Sequence, residues 1–152
     1  MRWSVGAALT MVAGLSTVAA GQSVTYFDHV NALPLRSAEP AILDAAEGRN
    51  LAPAFVTTVA DAYAFEPVPS ELTAEEAAHV IGAKAELWTE WIFDGRELER
   101  GGFPRLAAFA EGVWTPVAGR DYADFAGRLA THLERLTALD VCYFGSPVAG
   151  CP

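Results

Sequence analysis

Basic residues, cysteines and long apolar runs are all scarce in this sequence. Its 152 residues include 10 Lys and Arg against 19 Asp and Glu, so the formal net charge at pH 7 is -9. Nucleic acids and anionic membrane surfaces attract basic proteins, so this charge argues against both as partners and favours cationic ones. Beyond residue 21 no apolar stretch approaches the roughly 20 residues that a membrane-spanning helix requires, so we expect no membrane insertion after that point.

Several familiar catalytic motifs are also missing. The chain has no His-Glu-x-x-His, no phosphate-binding Walker loop and no Gly-x-Gly-x-x-Gly, the patterns that bind zinc, nucleotide phosphates and dinucleotides. Ser146 lies in FGSPVAG, which lacks the Gly-x-Ser-x-Gly turn that exposes a nucleophilic serine. The sequence therefore indicates no particular reaction and predicts no cofactor.

The first 20 residues have the features of a secretory signal. One basic residue, Arg2, precedes an apolar run, and the small residues Ala19 and Ala20 stand where a signal peptidase cleaves. A retained membrane anchor is the alternative, but Gly, Ser and Thr dilute the run and no basic cluster follows it. We predict a cleaved signal over residues 1–20, a single helical domain over 21–152, and a periplasmic or secreted protein.

Both cysteines, Cys142 and Cys151, lie near the end of the sequence. In an exported protein such a pair is typical of a disulfide, and a pair of free thiols is the alternative. The segment CYFGSPVAGC has too many residues between its cysteines for a redox Cys-x-x-Cys motif, and no second pair offers a metal site. We therefore predict a structural disulfide that fixes the C-terminal tail.

Residues 73–93, TAEEAAHVIGAKAELWTEWIF, carry the longest helical pattern in the chain. Thr73 followed by Glu76 fits a capping box, in which each side chain accepts a hydrogen bond from a backbone N–H across the first turn. Apolar residues then recur at steps of three and four, which predicts one amphipathic helix with a buried face. That face comprises Ala77, Val80, Ile81, Leu87, Trp88, Trp91 and Ile92.

Further helices are predicted on both sides of this segment. At Asp94-Gly95 a helix end is favoured over a hairpin turn, because the residues that follow are too polar for a matching strand. Capping residues, first-turn prolines and apolar spacing predict the other helices, which cover residues 38–47, 51–62, 104–111 and a long segment after Asp121. Asp121 is predicted to cap this last helix, and Asp124 and Arg128 to form a favourable i, i+4 pair on its first turns. The fold class predicted is mainly α, a small irregular bundle of four to five helices with a disulfide-stapled C-terminal tail.

An acidic stripe on the central predicted helix is the main candidate for a binding surface. Glu86, Glu90 and Asp94 are four residues apart, and like charges at this spacing destabilise a helix unless something compensates them. A cation, a basic partner or the chain's own arginines could compensate them, and pairing within the chain is the favoured interpretation. The candidate arginines are Arg96, Arg100, Arg105 and Arg120. Trp88 and Trp91 are expected mainly in the core, with one of them lining a pocket if the apolar face is too wide to be covered.

One Glu-x-x-His motif, Glu76 to His79, has the spacing of a metal site. The i, i+3 spacing lets both side chains bind one metal ion from the same face of a helix. Di-iron carboxylate bundles use two such motifs, whereas this chain has one, and Glu76 is also the acid that the capping box needs. We therefore favour a capped helix with an exposed histidine over a metal site.

The leading functional hypothesis is an exported, acidic, non-enzymatic domain that binds a protein partner, in particular a basic one, or a small ligand. It rests on the missing catalytic motifs together with an acidic surface that carries tryptophans. A metal-dependent or acid/base enzyme that uses Glu76, His79, Glu86 or Glu90 is the first alternative. A structural subunit of an envelope assembly is the second.

Overall fold

A computed structural model describes residues 16–19, 25, 27, 30–32, 56–88 and 92–152. The helix predicted over 38–47, and the first part of the one predicted over 51–62, lie outside these residues. The strands are β1 (Thr17–Ala19), β2 (Val30–Ala32), β3 (Val56–Thr58) and β4 (Val80–Ala83). The helices are α1 (Val59–Ala64), α2 (Ala74–Ala77), α3 (Gly95–Gly102), α4 (Arg105–Trp114) and α5 (Tyr122–Ala138).

The strands form two separate parallel pairs. β1 pairs with β4, and β2 pairs with β3. Beyond β4 the backbone N–H of Glu86 donates to the carbonyl of Thr25 at 2.8 Å, and the N–H of Phe27 donates to the carbonyl of Glu86 at 2.7 Å, so parallel pairing continues past the end of the strand. The helices and the disulfide-stapled tail of the predicted fold are present, but a purely helical bundle is not confirmed, because parallel strands pack beside the helices.

The long helix predicted over residues 73–93 is wrong. Helix α2 stops at Ala77, a turn follows at Ala78 and His79, and the chain then enters strand β4. The β-branched pair at the start of β4 suits a pleated strand, and β1 provides the backbone partner that makes the strand more favourable than a continued helix. The capping box at the start of α2 is confirmed, with 2.8 Å from the Thr73 N–H to a carboxylate oxygen of Glu76.

Two predictions about helix ends have opposite outcomes. Gly95 begins helix α3 instead of ending a helix, because the Asp94 side chain accepts the N–H of Glu97 at 2.9 Å and serves as an N-cap. The cap predicted at Asp121 is confirmed, since its carboxylate accepts the N–H groups of Ala123 and Asp124. Asp and Gly are compatible with both ends of a helix, so only the direction in which the chain continues decides between them.

The core lies where α1, α4 and α5 meet the parallel strands. It is formed by Phe27, Val59, Ala62, Tyr63, Ala108, Phe109 and Phe125. The rings of Tyr63 and Phe125 stack with their centroids 4.9 Å apart, and the edge of one ring in the Phe27–Phe109 pair meets the face of the other at 6.1 Å. These contacts join the helices to Phe27.

A buried arginine connects α4 with Phe27 and with the end of α3. Arg105, the first residue of α4, is fully buried, and its guanidinium donates to the backbone carbonyls of Phe27 and Gly101. The guanidinium carbon also lies 5.1 Å from the centre of the Phe27 ring, a cation–π distance. The burial of this charge is therefore offset by hydrogen bonds to two backbone carbonyl oxygens.

The C-terminal tail is closed by the predicted disulfide between Cys142 and Cys151, which is confirmed. The backbone N–H of Cys142 donates to a carboxylate oxygen of Glu99 in α3 at 2.8 Å, and Arg96 forms an ion pair with Asp140 at 2.6 Å. The tail is thus anchored to α3 at the base of the disulfide loop. Across the described ranges, no helix is both long and apolar enough to cross a membrane.

Candidate functional site

The extended segment that follows β4 has two chemically different faces. Ala83, Ala85 and Leu87 pack against the core, and Leu87 lies over Gly101 and Gly102 of α3. Because side chains alternate along an extended chain, the residues between them face away from the helices. Lys84, Glu86 and Trp88 are those residues. We call this set the polar strand face.

The ion pair on this face supports the assignment. The ammonium of Lys84 lies 2.7 Å from one carboxylate oxygen of Glu86, a contact that two residues at i and i+2 of an extended strand make when they share a face. The side chain of Glu86 is 15% exposed and that of Lys84 is 60% exposed. The second carboxylate oxygen of Glu86 is buried and has no hydrogen-bond partner among the described residues.

Trp88 lies at the end of this segment and is 49% exposed. β4 runs parallel to β1, so Glu86 and Trp88 follow the carboxyl end of a parallel strand. Ligand and catalytic sites of α/β proteins lie at the carboxyl ends of parallel strands, where the side chains that follow each strand converge. The polar strand face therefore places a half-exposed aromatic ring and a carboxylate with one buried oxygen at the edge where such sites form.

The predicted acidic stripe does not exist as a helical surface. Glu86 lies on the extended segment and pairs with Lys84, whereas Asp94 caps α3. Two of the four candidate arginines pair elsewhere, Arg96 with Asp140 and Arg120 with Glu66. The stripe fails as a helical surface because Glu86 follows strand β4 and Asp94 is the N-cap of a separate helix. Glu90 and Trp91 lie outside the described residues.

The Glu-x-x-His motif, for which a capped helix is favoured over a metal site, begins in α2 and ends in the turn that follows it. Glu76 is occupied by the capping box, and hydrogen bonds from the Thr73 N–H and hydroxyl lower the pKa of its carboxyl group. His79 lies in the turn before β4, and its carbonyl accepts the N–H of Thr17 at 2.7 Å. No group of three His, Cys, Asp or Glu side chains in the described part of the chain is close enough to hold a metal ion.

A concave surface lies on the helical side, between α4 and α5. It is a cleft of about 600 Å³ whose lining includes Phe103, Leu106, Leu129, His132 and Arg135. At its rim Arg128 forms ion pairs with Glu111 at 2.7 Å and with Asp124 at 2.8 Å, and the latter is the predicted i, i+4 pair. The hydrogen bond from Arg128 lowers the pKa of the Glu111 carboxyl group.

Comparison with known proteins identifies the family. The profile described as glycosyl hydrolase family 20, catalytic domain, matches residues 1–117. Since this is most of the chain, the protein belongs to glycosyl hydrolase family 20. The predicted secretory signal over residues 1–20 stays a prediction, and the family match includes those residues.

Curated relatives carry hexosaminidase names. The chain is 41% identical over 81 residues to a β-hexosaminidase of Porphyromonas gingivalis, and 39% identical over 98 residues to a β-N-acetylhexosaminidase of Cellulomonas fimi. These alignments cover 53% and 60% of this chain, but only 10% and 18% of the two relatives. The chain thus spans less than a fifth of the length of either one.

Two solved structures resemble the fold. A family 20 exo-β-N-acetylglucosaminidase from Vibrio harveyi, an inactive mutant, aligns over 80% of this chain and 18% of its own, with a TM-score of 0.62 and 29% identity. A family 20 β-N-acetylhexosaminidase from Streptomyces coelicolor A3(2) aligns over 90% of this chain and 25% of its own, with a TM-score of 0.63 and 26% identity. The likeness extends over most of the chain.

These findings overturn the leading functional hypothesis. A non-enzymatic domain that binds a partner or ligand is wrong, because the chain matches the catalytic domain of a hydrolase family. The alternative of a structural subunit of an envelope assembly is wrong for the same reason. Sequence reasoning named Glu86 and Trp88 but missed Lys84. The signal that could have identified Lys84 is the alternation of polar and apolar residues over 83–88, which the assumed helical period concealed.

Proposed function

We propose that this chain forms part of the catalytic domain of an exo-acting β-N-acetylhexosaminidase, an enzyme that removes terminal β-linked N-acetylhexosamine from glycans. The family 20 match over residues 1–117 carries this proposal. The hexosaminidase names of the relatives support the substrate class. Because the chain spans a minor part of these relatives, the contribution that we propose for this chain is the one that the polar strand face can make.

The polar strand face contributes to binding the sugar. A pyranose ring has one apolar face of C–H groups and a rim of hydroxyls, so proteins bind it with an aromatic ring beside hydrogen-bonding side chains. Trp88 offers the ring, half exposed at the carboxyl end of a parallel strand. Glu90 and Trp91, predicted as binding residues from sequence, follow directly and are proposed members of the same site.

The chemistry expected of the whole catalytic domain is glycoside hydrolysis. Most glycosidases use two carboxyl groups, one as acid and one as base or nucleophile, and family 20 is an exception in which the substrate itself assists. A site of this class must hold the N-acetyl sugar in one orientation, because assistance from the substrate requires its own group to reach the reacting carbon. We therefore assign Trp88 a binding role and not a proton-transfer role.

A substrate comparison tests the proposal. The whole protein that contains this chain is assayed with the 4-methylumbelliferyl β-glycosides of N-acetylglucosamine, N-acetylgalactosamine and glucose. Hydrolysis of at least one N-acetyl sugar, with the glucoside cleaved at least about a hundredfold more slowly, is the expected result, since the glucoside lacks the assisting group. Cleavage of the glucoside at an equal rate, or of none of the three substrates, would contradict the proposal.

A further inference from the structure

The unpartnered oxygen of Glu86 is a departure from normal protein packing. Buried carboxylate oxygens nearly always accept a hydrogen bond, because removing the charge from water without a partner is costly. Glu86 satisfies only one oxygen, through Lys84 at 2.7 Å, while the other is buried without a hydrogen-bond partner among the described residues. The backbone N–H and carbonyl of Glu86 are paired with Thr25 and Phe27, so the main chain at this residue is held in place.

The position of this carboxylate relative to Trp88 suggests its role. Glu86 and Trp88 are neighbours on the polar strand face, because Leu87 between them is packed on the opposite side against Gly101 and Gly102. The carboxylate of Glu86 lies two residues before the exposed ring of Trp88. It can hold the segment that carries this ring once a donor forms a hydrogen bond to its second oxygen. This chain covers 10% of the Porphyromonas gingivalis relative and 25% of the Streptomyces coelicolor structure, so the remainder of a catalytic domain of this family is a source for such a donor.

We propose that Glu86 is a positioning residue for sugar binding: clamped between Lys84 and a donor side chain from the remainder of the catalytic domain, it fixes Trp88 in the orientation that the sugar requires. This inference rests on the proposed function. It assigns Glu86 no contact with the reacting atoms, because its free oxygen is buried. Its effect therefore falls on substrate affinity, and kcat is expected to change little.

The test uses four variants of the whole protein. Glu86→Gln and Lys84→Met each break the clamp, Lys84→Arg preserves the charge, and Glu134→Gln removes an exposed carboxylate from α5 as the control. With the N-acetylglucosaminide substrate, Glu86→Gln and Lys84→Met are expected to raise KM about fivefold to tenfold while kcat changes by less than about twofold. Lys84→Arg and Glu134→Gln are expected to keep the KM of the wild type.

A readout without substrate separates this inference from the proposed function. Amide hydrogen exchange of the peptide that ends at Trp88 is expected to become about tenfold faster in Glu86→Gln and Lys84→Met, and to stay unchanged in Glu134→Gln. A wild-type protein that hydrolyses no N-acetyl sugar would overturn the proposed function, whatever the exchange rates. An active wild type whose KM and exchange rates are unchanged in both Glu86→Gln and Lys84→Met would overturn the positioning role alone. A loss of thermal stability without a change in KM would assign Glu86 a purely structural role and overturn it as well.

Discussion

Gly112 of α4 lies directly against the backbone of Tyr63 in α1. A Cβ atom at Gly112 would collide with the carbonyl oxygen of Tyr63 and would lie 3.2 Å from its carbonyl carbon. Backbone cannot move aside as a flexible side chain can, so glycine sets how closely the two helices approach. The helix that follows β3 is thereby held against the helix whose first residue, Arg105, anchors the segment at Phe27.

The first prediction follows from this contact. Gly112→Ala is expected to lower the free energy of unfolding by about 1–3 kcal/mol, because α1 and α4 must separate. Gly127→Ala, on α5, is the matched control, since a Cβ at this position meets no atom within 4 Å. It is expected to raise the free energy of unfolding by about 0.5–1 kcal/mol. Urea unfolding of both variants provides the measurement. If the two variants have the same urea midpoint, the close approach of α4 to α1 at Gly112 does not contribute to stability.

The second prediction concerns Trp88 and Trp114, the exposed tryptophans of the part of the chain that the structure describes. Trp88→Ala is expected to reduce kcat/KM for the N-acetylglucosaminide about tenfold, equivalent to about 1.4 kcal/mol, because the sugar loses its aromatic contact. Trp114→Ala is the control, because Trp114 is 90% exposed at the end of α4 and lies outside the polar strand face. Steady-state kinetics of both variants decides the matter. A larger loss with Trp114→Ala would place the sugar contact elsewhere.

The third prediction concerns the tail. Replacing both Cys142 and Cys151 with serine is expected to destabilise the protein by about 2–3 kcal/mol, since the disulfide restricts a short loop in the unfolded chain. The urea midpoint of the wild type should fall to that of the double variant when reductant is added. Reductant is expected to leave the variant unchanged, and a wild type insensitive to reductant would contradict the stabilising role.

The fourth prediction concerns acid stability. Arg128 holds the pKa of Glu111 below its ordinary value, so in the folded state this carboxyl group loses its proton more readily than in the unfolded chain. The pair therefore stabilises the fold above the unfolded pKa of about 4.3, and its contribution is lost as pH falls through the lower folded value. We expect Glu111→Gln to unfold at lower urea than the wild type at pH 7, with the difference shrinking towards pH 3.

The control for this experiment is Glu134→Gln. Glu134 is exposed on α5 and forms no ion pair within the described ranges, so its replacement should change the urea midpoint little at either pH. A difference between wild type and Glu111→Gln that persists unchanged at pH 3 would show that the ion pair with Arg128 is not its source.

Prediction from sequence succeeded where the interaction is local. The capping box of Thr73 and Glu76, the cap at Asp121 and the pair of Asp124 with Arg128 join residues at most four positions apart. It failed at β4, because the helical spacing of apolar residues there is equally compatible with a short strand. The deciding partner, β1, lies far upstream and gives no local signal.

The candidate site was predicted in part for the same reason. The residue types of Glu86 and Trp88 predict a binding surface, but the helical spacing predicts that they share one helix with Asp94. The structure separates them from Asp94, which caps α3, and adds Lys84 as the partner of Glu86. Only the packing of Leu87 against α3 establishes which face of the segment is polar.

The sequence by itself determined the caps at Thr73 and Asp121, the pairing of Cys142 with Cys151 and the acidic balance of the chain, because each depends on neighbouring residues or on composition. The tertiary structure decided that the residues after α2 form a strand, that Trp88 lies at its carboxyl end and that one oxygen of Glu86 is buried without a described partner. Those outcomes depend on backbone hydrogen bonds and packing between segments distant in sequence, whose free energy exceeds the small local preferences of the residues involved.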